Sequence, residues 1–373
     1  MEQHSEVFVG VDAAKLRHAV AVAEDGRQGE VRYMGEVGAD TESVRRLTAK
    51  LEKRHGRGLH FCYEAGPTGY GLYRQLTELG YRCTVVAPSL IPRKPGDRVK
   101  TNRRDAQQLA RLLRAGELTA VWVPDEAHEA VRDLVRARQA AVEDLRRRRQ
   151  AISSMMLRQG RVFAGKKTWG AMHGHWLRAQ RFDHPAQQFV LQELLLAARH
   201  AEERLARVEA AIAEAVPSWS LAPVVEALQA LRGVKLVTAV TVMAEIGDLR
   251  RFENPRQLMG YLGLVPAERS TGATVRRLGI TKAGNGRVRQ ALVESAWCYR
   301  HPPRTGRVQH YVHERVPAAV RDIATKAQTR LCARYRALSG RGMKLTVAVT
   351  AIARELAGFV WAIGREVQAA AAA

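Results

Sequence analysis

The feature that most constrains the fold is an alternation of short apolar runs and helical segments in the first hundred residues. Val7 to Val11 is a continuous apolar run, typical of a buried strand. The remaining runs and helical segments follow in a clear order: strands at Ala19 to Ala23 and Val31 to Val37, a helix from Thr41 to about Arg54, a strand at Leu59 to Tyr63, a helix from about Thr68 to Leu79, a strand at Tyr81 to Ala87 and a helix from about Asn102 to Arg114. This order predicts an α/β RNase-H-like fold, although many α/β domains share parts of it.

From Asp125 onward the sequence changes to long helical segments. Two of these segments, from Val131 to Met155 and from Leu191 to Ala215, repeat apolar residues at helical spacing, and the first is the less regular of the two. Together they predict an antiparallel hairpin, a dimerising stalk, or simple helix packing inside one domain. The stretch from Phe163 to Asp183 predicts a loop or linker, because it is rich in Gly, His and Trp. The second of the two segments keeps the three-four spacing of a coiled-coil seam: Leu191, Leu194, Ala198, Ala201, Leu205, Val208, Ile212 and Ala215.

A third region begins at Pro217 and is helical and basic. Its apolar helices, over Val237 to Ile246 and Val288 to Trp297, flank a predicted loop from Val265 to Thr281. We therefore predict three domains: an RNase-H-like domain over 1–124, an α-helical coiled-coil connector over 125–216 and a mainly α-helical domain over 217–373.

The charge of the chain indicates a polyanionic partner. Lysine and arginine number 60 against 37 aspartates and glutamates, which gives a net charge of +23. A positive field of this size attracts polyanions, and the guanidinium fork of arginine matches phosphate oxygens. A merely basic protein is the alternative, but the clustering of arginines favours nucleic-acid binding.

Other features bear on the cellular compartment. The apolar stretch from Leu345 to Ile363 carries Arg354 and Glu355 in its middle, so we expect a buried helix and no membrane association. The N-terminus has no cationic region followed by an apolar run, and the four cysteines form no CxxC pair. These features predict a cytoplasmic protein without a zinc knuckle or a disulfide framework.

Two acidic residues end apolar runs where the chain leaves the predicted sheet. Asp12 follows the first strand in GVDAAK, and Glu64 follows the fourth strand in FCYEAG. The first and fourth strands are neighbours in an RNase-H-like sheet, and Asp105 lies in the first turn of a helix that can pack over the same edge. Three carboxylates at one edge could hold two Mg²⁺ (or Mn²⁺) ions, an arrangement that suits phosphodiester cleavage. The sequence therefore predicts a metal-dependent site that breaks nucleic-acid strands.

Each of these residues also has a simpler interpretation. Asp12 suits a turn, and Glu64 suits a solvated strand end. Asn102 at the N-cap and Asp105 three positions later would form a helix cap, which stabilises a helix by about 1 kcal/mol. The cap and the metal site are compatible, because one side chain can serve both.

Six motifs carry a family resemblance: GVDAAK, YEAGPTGYGLY, VKTNRRDAQQLARLLRAGEL, LRGVKLVTAVTVMAEIGDL, LMGYLGLVPAERSTG and GITKAGNGRVRQALVESAW. With these motifs the chain resembles the DEDD transposases of the insertion-sequence-110 family over nearly its whole length. The resemblance implies a RuvC-like N-terminal domain, a coiled-coil connector and a C-terminal transposase domain with a nucleophilic serine. Members of this family are DNA recombinases, and some are guided by a structured bridge RNA.

Four positions of the resemblance concern metal ligands. Asp12 matches the family's first Asp, Glu64 its Glu and Asp105 its last Asp. The third position, usually Asp, is Asn102 in this chain. An amide oxygen can coordinate Mg²⁺ but adds no negative charge, so we expect weaker metal binding; Asp97 in the preceding loop is a possible substitute ligand.

The family serine falls in the AERSTG segment. Counting back from Lys282 points to Ser270, whereas counting forward from Pro266 points to Thr271; we choose Ser270 because the family uses a primary hydroxyl. The resemblance implies that Ser270 attacks the scissile phosphate and forms a covalent protein–DNA intermediate. It also makes a site shared between protomers of a homodimer or higher homo-oligomer plausible.

Basic residues near these motifs are candidate contacts to double-stranded DNA and to a guide RNA. A helix that begins near Asn285 adds N-terminal amides, which favour phosphate. A solvated charged face is the alternative for the same residues. The candidates are Arg103, Arg104, Arg276, Arg277, Lys282, Arg287 and Arg289.

Three functions remain compatible with the sequence. The first is a transposase or recombinase that uses Ser270 together with the carboxylates. The second is a RuvC-type endonuclease that hydrolyses DNA with metal alone, and the third is a non-catalytic nucleic-acid-binding relative, suggested by Asn102.

Overall fold

The computed structural model describes residues 6–26, 29–92, 101–272 and 274–370. The chain forms two compact units, Met1–Val123 and Pro124–Ala373. The boundary between them lies next to the predicted boundary between the first and second domains. The further division at Pro217 stays a prediction, because the predicted connector and the C-terminal region belong to one compact unit.

The first unit is a mixed α/β domain built on a five-stranded sheet of order β3-β2-β1-β4-β5. β1, β2 and β3 are antiparallel neighbours, whereas β4 runs parallel to β1 and β5 runs parallel to β4. The predicted order of three strands, helix, strand, helix, strand, helix is present. The elements are β1 (Val7–Ala13), β2 (Arg17–Ala23), β3 (Val31–Gly38), α1 (Thr41–His55), β4 (Leu59–Glu64), α2 (Gly71–Glu78), β5 (Arg82–Val86) and α3 (Asn102–Arg114).

The two faces of this sheet bury different sets of side chains, because successive residues of a strand point to opposite faces. Val7, Val9 and Val11 of β1 share one apolar cluster with residues of α1 and α2. Phe8 of β1 and Cys62 of β4 share the other cluster with residues of α3. Residues at even positions of β1 and β4 therefore lie on the face that α3 covers.

Helix α3 approaches β1 most closely at Gly10. A Cβ atom at this position would overlap the backbone oxygen of Ala106 and the backbone nitrogen of Ala110. Ala106 and Ala110 are themselves fully buried. The absence of a side chain at residue 10 is therefore what allows the helix backbone to lie directly on the strand.

The second unit is mainly helical. Its elements are α4 (Glu126–Arg158), α5 (Ala171–Ala179), α6 (Pro185–Ala215), α7 (Ala222–Leu228), α8 (Leu236–Ile246), α9 (Pro255–Tyr261), β6 (Pro266–Thr271), β7 (Thr274–Ile280), α10 (Gly286–Ala296), α11 (Arg307–Arg315), α12 (Ala318–Gly340) and α13 (Leu345–Ala370). Most of the apolar residues from α7 to α13 share one large core.

Helices α4 and α6 pack side by side in opposite directions. Arg138 of α4 pairs with Glu209 at 2.8 Å, and Arg149, further along α4, pairs with Glu202 at 2.7 Å, earlier in α6. Leu191 and Ile212, at the two ends of the predicted seam, are fully buried. Of the predicted alternatives, the pair of helices thus forms an antiparallel hairpin within one chain.

Two segments that the sequence predicts as loops contain regular structure. Within Phe163 to Asp183, α5 forms because His173 and Trp176 of this helix stack with rings 5.7 Å apart and pack against Phe163. Within Val265 to Thr281, β6 and β7 form an antiparallel hairpin. Gly272 adopts φ 58° at its turn, a conformation that glycine allows without strain.

Helix α13 is the only helix of the described part of the chain that is long and apolar enough to cross a membrane by length and composition. Half of its apolar window is buried inside the fold. Its Glu355 accepts a hydrogen bond from Arg330 of α12 at 2.8 Å and also pairs with Arg334. These contacts agree with the predicted buried helix.

We predict that Gly10→Ala destabilises the protein by about 1–3 kcal/mol, the usual cost of forcing extra volume into a packed core. Gly71→Ala is the matched control, since a Cβ at residue 71 meets no atom within 4 Å and alanine favours the helical conformation of α2. Urea denaturation of both variants measures the two free energies of unfolding. Equal stability of the two variants would show that α3 can move away from β1 without cost.

Candidate active site

Asp12 and Glu64 occupy neighbouring positions at the same end of two parallel strands. Val11 of β1 is paired with Tyr63 of β4, and Asp12 and Glu64 are the next residues of their strands. Both side chains are half-buried, and both even-numbered positions lie on the face that α3 covers. The fold thus brings the first two predicted residues to one edge of the sheet.

Helix α3 carries Asp105 toward the same edge. Arg114, its last residue, donates hydrogen bonds to the carbonyls of Glu24 (2.9 Å) and Gly29 (2.7 Å), beyond the end of β2 that lies beside Phe8. The helix therefore runs opposite to β1, and its first turn points toward the Asp12 end. Asp105 lies in this first turn and is half-buried.

The cap of α3 differs from the predicted one. Thr101, and not Asn102, is the N-cap residue: its side chain accepts a hydrogen bond from the backbone N–H of Arg104 at 3.3 Å. Asn102 is the first helical residue, and its side chain is exposed. The prediction failed because threonine, also a good N-cap residue, lies one position earlier and adopts the required extended backbone. Asp97 lies outside the described residues.

The donor set at this edge suits a hard divalent cation, since carboxylate and amide oxygens are the ligands that Mg²⁺ takes in proteins. Asp12 and Glu64 provide two carboxylates on adjacent strands, and Asp105 lies on the helix above them. In the described part of the chain, no three His, Cys, Asp or Glu side chains are close enough to hold one ion together. The edge therefore offers a carboxylate pair to which α3 can contribute further oxygens.

Ser270 lies on the exposed hairpin of β6 and β7. Its Oγ donates a hydrogen bond to Oε1 of Glu268 at 2.6 Å. Ser270 is paired with Val275, and the backbone register shifts between Pro266 and Glu268. Thr271 is the next residue of the strand, so its side chain points to the opposite face from Ser270 and Glu268.

The base of this hairpin is tightly held. The backbone N–H of Thr281 donates to Val265 at 2.9 Å, and that of Lys282 donates to Gly263 at 3.1 Å. The guanidinium of Arg289 donates to the carbonyls of Leu262 (2.8 Å) and Ala283 (3.0 Å). Lys282 adopts φ 56°, a conformation uncommon for a residue with a side chain. These hydrogen bonds therefore hold together the two chain segments from which β6 and β7 extend.

A buried carboxylate, Glu245 of α8, connects this base to helix α4. Its two oxygens accept hydrogen bonds from Arg136 of α4 at 3.0 and 3.2 Å, and one oxygen also accepts from Nδ2 of Asn285 at 2.8 Å. Oδ1 of Asn285 caps α10 by accepting from the backbone N–H groups of Arg287 and Val288. Burial opposes ionisation of Glu245, but the hydrogen bonds and charge of Arg136 outweigh it and hold the pKa of this carboxyl below its usual value.

The predicted basic residues fall into two groups. Arg103 and Arg104 are exposed on the first turn of α3, and Cζ of Arg103 lies 5.4 Å from the ring centre of Tyr33. The others lie on or beside the hairpin: Arg276 opposite Arg269, Arg277 opposite Glu268 in the backbone register, Lys282 in the following loop, and Arg287 and Arg289 in the first turn of α10. Arg289 already donates to two carbonyls, so part of its guanidinium serves the hairpin base.

Sequence reasoning missed Glu245, Glu268 and the second role of Asn285. Glu245 had a detectable signal, because a lone acid in the apolar run VTAVTVMAEIG indicates a buried, paired charge. Glu268 has no such signal, because the sequence predicts a loop from Val265 to Thr281. Its relation to Ser270 depends on the two-residue period of a strand.

Comparison with known proteins defines the chain as a transposase. A family model described as "Transposase", of the DEDD type, matches residues 9–159. A second model, described as "Transposase IS116/IS110/IS902 family", matches residues 225–310. DEDD transposases generally use divalent metal ions. The first match covers Asp12, Glu64 and Asp105, and the second covers Ser270.

Two relatives resemble the chain over almost its whole length. "Putative transposase y4qE" of Sinorhizobium fredii is 63% identical over 367 residues, which cover 97% of this chain and 90% of the relative. The transposase for insertion sequence element IS1533 of Leptospira borgpetersenii is 30% identical over 348 residues, which cover 91% of this chain and 99% of the relative. The chain therefore belongs to the IS110 family of transposases, as the resemblance predicted, and DNA is its substrate.

We predict that Asn285→Asp lowers the free energy of unfolding by about 1–3 kcal/mol at pH 7, because a carboxylate replaces the amide that donates to buried Glu245. Asn254→Asp is the matched control: Asn254 caps α9 in the same way and has no hydrogen bond to a carboxylate in the described residues. Urea denaturation measures both variants.

The same comparison has a defined pH dependence. Because the pKa of Glu245 is lowered in the folded protein, its contribution is present above the ordinary value of 4.5 and is lost as the pH falls below it. The difference in stability between the wild type and Asn285→Asp is expected to shrink as the pH falls from 7 toward 4. A difference that grows on acidification would contradict the assignment of Glu245 as an ionised partner of Asn285.

Proposed function

We propose that this transposase cleaves and rejoins DNA strands with Ser270 as its nucleophile, assisted by a divalent-metal site of Asp12, Glu64 and Asp105. The observation that carries the serine assignment is the 2.6 Å hydrogen bond from Ser270 Oγ to Glu268 on an exposed hairpin. A nucleophilic hydroxyl needs an acceptor for its proton and access to the phosphate, and Ser270 has both. Thr271 points to the opposite face of β6, which supports Ser270 as the choice.

The metal half of the proposal rests on the edge formed by β1, β4 and α3. Asp12, Glu64 and Asp105, with the amide oxygen of Asn102, would hold Mg²⁺ or Mn²⁺. When bound, such an ion supplies charge stabilisation for the phosphate that is attacked. Within the chain, α3 sets how near Asp105 comes to the strand ends through its contact with Gly10.

The architecture supports a finer classification of the two units. The sheet order β3-β2-β1-β4-β5, with its antiparallel and parallel pairs, supports an RNase-H-like, RuvC-like first domain over 1–124. The three-four spacing in α6 supports a coiled-coil connector over 125–216, followed by the transposase domain over 217–373. A site shared between protomers of a homodimer or higher homo-oligomer belongs to the same proposal.

A structured guide RNA is the second nucleic-acid partner that we propose beside double-stranded DNA. Its support is the family resemblance together with the net charge of +23, which attracts polyanions. Arg103, Arg104, Arg276, Arg277 and Lys282, with Arg287 and Arg289, are the candidate phosphate contacts.

We predict that Ser270→Ala abolishes the covalent protein–DNA product, because no other hydroxyl lies beside Glu268 on this face of the described parts of β6 and β7. A labelled DNA substrate and denaturing gel electrophoresis detect the product. Thr271→Ala is the matched control and is expected to keep it. Survival of the adduct in Ser270→Ala, with its loss in Thr271→Ala, would assign the reaction to the threonine. Strand cleavage by Ser270→Ala without any adduct would favour a metal-dependent endonuclease.

We predict that Asn102→Asp lowers the Mg²⁺ concentration needed for half-maximal cleavage by about fivefold or more, because two opposite charges about 4 Å apart attract each other by about 1 kcal/mol even in water. The measurement is a Mg²⁺ titration of cleavage. Lys50→Gln, at an exposed position of α1, changes the net charge by the same amount and serves as the control. An unchanged Mg²⁺ requirement in Asn102→Asp would exclude residue 102 as a ligand.

A further inference from the structure

We propose that Glu268 is a catalytic residue of this transposase and acts as the general base that accepts the proton of Ser270. This inference rests on the proposed role of Ser270 as the nucleophile. No carboxylate of the sheet edge is needed for this proton transfer. The acceptor belongs to the same strand as the nucleophile and lies two residues before it.

The geometry of the hairpin supports this assignment. The distance of 2.6 Å between Ser270 Oγ and Glu268 Oε1 lies within the range of hydrogen bonds from a hydroxyl to a charged oxygen. Alternate residues of a strand share a face, so the two side chains stay adjacent without help from another element. Both are exposed, which leaves room for a phosphate beside them.

The backbone of the hairpin also favours a defined orientation of Glu268. The register between β6 and β7 shifts between Pro266 and Glu268, which is the signature of a β-bulge. Bulges change the direction of the side chains beside them and are common next to active sites. From Glu268 to Thr271 the pairing is regular again, so the acid and the serine lie on the same continuous piece of ladder.

The charges around the pair suit an anionic substrate despite the carboxylate. Arg269 and Arg276 are paired across the hairpin and exposed, on the opposite face from Ser270. These two arginines add positive charge to the exposed hairpin, which attracts an anionic DNA strand toward it.

The chemical step is a transfer of the phosphoryl group to serine. A bond forms between Ser270 Oγ and phosphorus, and the Oγ proton passes to the carboxylate of Glu268. The ester bond to the leaving strand breaks, and its electron pair stays on the departing oxygen, which takes a proton from water. In the rejoining step a strand hydroxyl attacks the phosphoserine and loses its proton to water, while Glu268 returns its proton to Oγ.

Glu268→Gln tests this step, because glutamine keeps the size of the side chain but cannot accept the proton. The rate of covalent adduct formation in a single turnover is expected to fall by roughly 10²–10⁴-fold near neutral pH, the usual contribution of a general base. The wild-type rate is expected to change little between about pH 6.5 and 8.5. The variant's rate is expected to rise about tenfold per pH unit, because hydroxide must then remove the proton.

Glu253→Gln is the matched control. Glu253 is another exposed glutamate of the same unit, with a hydrogen bond to Gln257 at 3.0 Å, and its substitution removes the same charge. We expect Glu253→Gln to keep the wild-type rate and pH profile. DNA affinity is measured for both variants, so that a change in binding is separated from a change in the chemical step.

The outcomes separate this inference from the proposed function. A Glu268→Gln variant within fivefold of the wild-type rate, or one with a large loss but an unchanged pH profile, overturns the role of Glu268. If Ser270→Ala still forms the adduct in parallel reactions, the serine assignment itself fails. Loss of the adduct in Ser270→Ala together with a normal Glu268→Gln variant leaves the serine in place and removes only the general base.

Discussion

The second unit depends on one buried charge. Glu245 lies within an otherwise apolar helix, and a carboxylate without partners there would cost several kcal/mol. Arg136 supplies two hydrogen bonds and Asn285 a third, so the charge is compensated by residues from α4 and from the start of α10. Because Asn285 also caps α10, the same contact holds the helix that follows the hairpin of β6 and β7. Packing in the core of this unit and placement of Ser270 are therefore linked through a single side chain.

The first unit depends on a steric constraint in place of a charge. The backbone of α3 can rest on β1 only because residue 10 has no side chain. That contact determines the height of Asp105 above Asp12 and Glu64, while the parallel pairing of β1 and β4 determines the spacing of the latter two. The two geometric elements of the candidate metal site, strand register and helix height, thus come from different kinds of interaction.

The sequence predicts the strands and helices of the first unit, and the strand ends at which Asp12 and Glu64 lie, because apolar periodicity is a local signal. Asp12 and Glu64 can be identified as candidates because each is an acidic residue at the end of an apolar run. The hairpin carrying Ser270 could not be predicted in the same way: its strands are exposed, so they lack the apolar alternation that identifies a strand. Because the sequence does not predict this strand, it does not predict that Glu268 and Ser270 are adjacent. The cap at Thr101 was missed because threonine and asparagine are both good N-cap residues, and only backbone geometry separates them.

The antiparallel pairing of α4 and α6 has a mechanical consequence. With 33 residues, α4 is about 50 Å long at a rise of 1.5 Å per residue. Arg136, in the first third of this helix, contacts Glu245, whereas the aromatic cluster around Trp176 lies at the far end. A tilt of this rigid hairpin by a few degrees about Glu245 would therefore displace its tip by several ångströms. Through the hydrogen bonds of Glu245, such a tilt would also reach Asn285, which caps the start of α10.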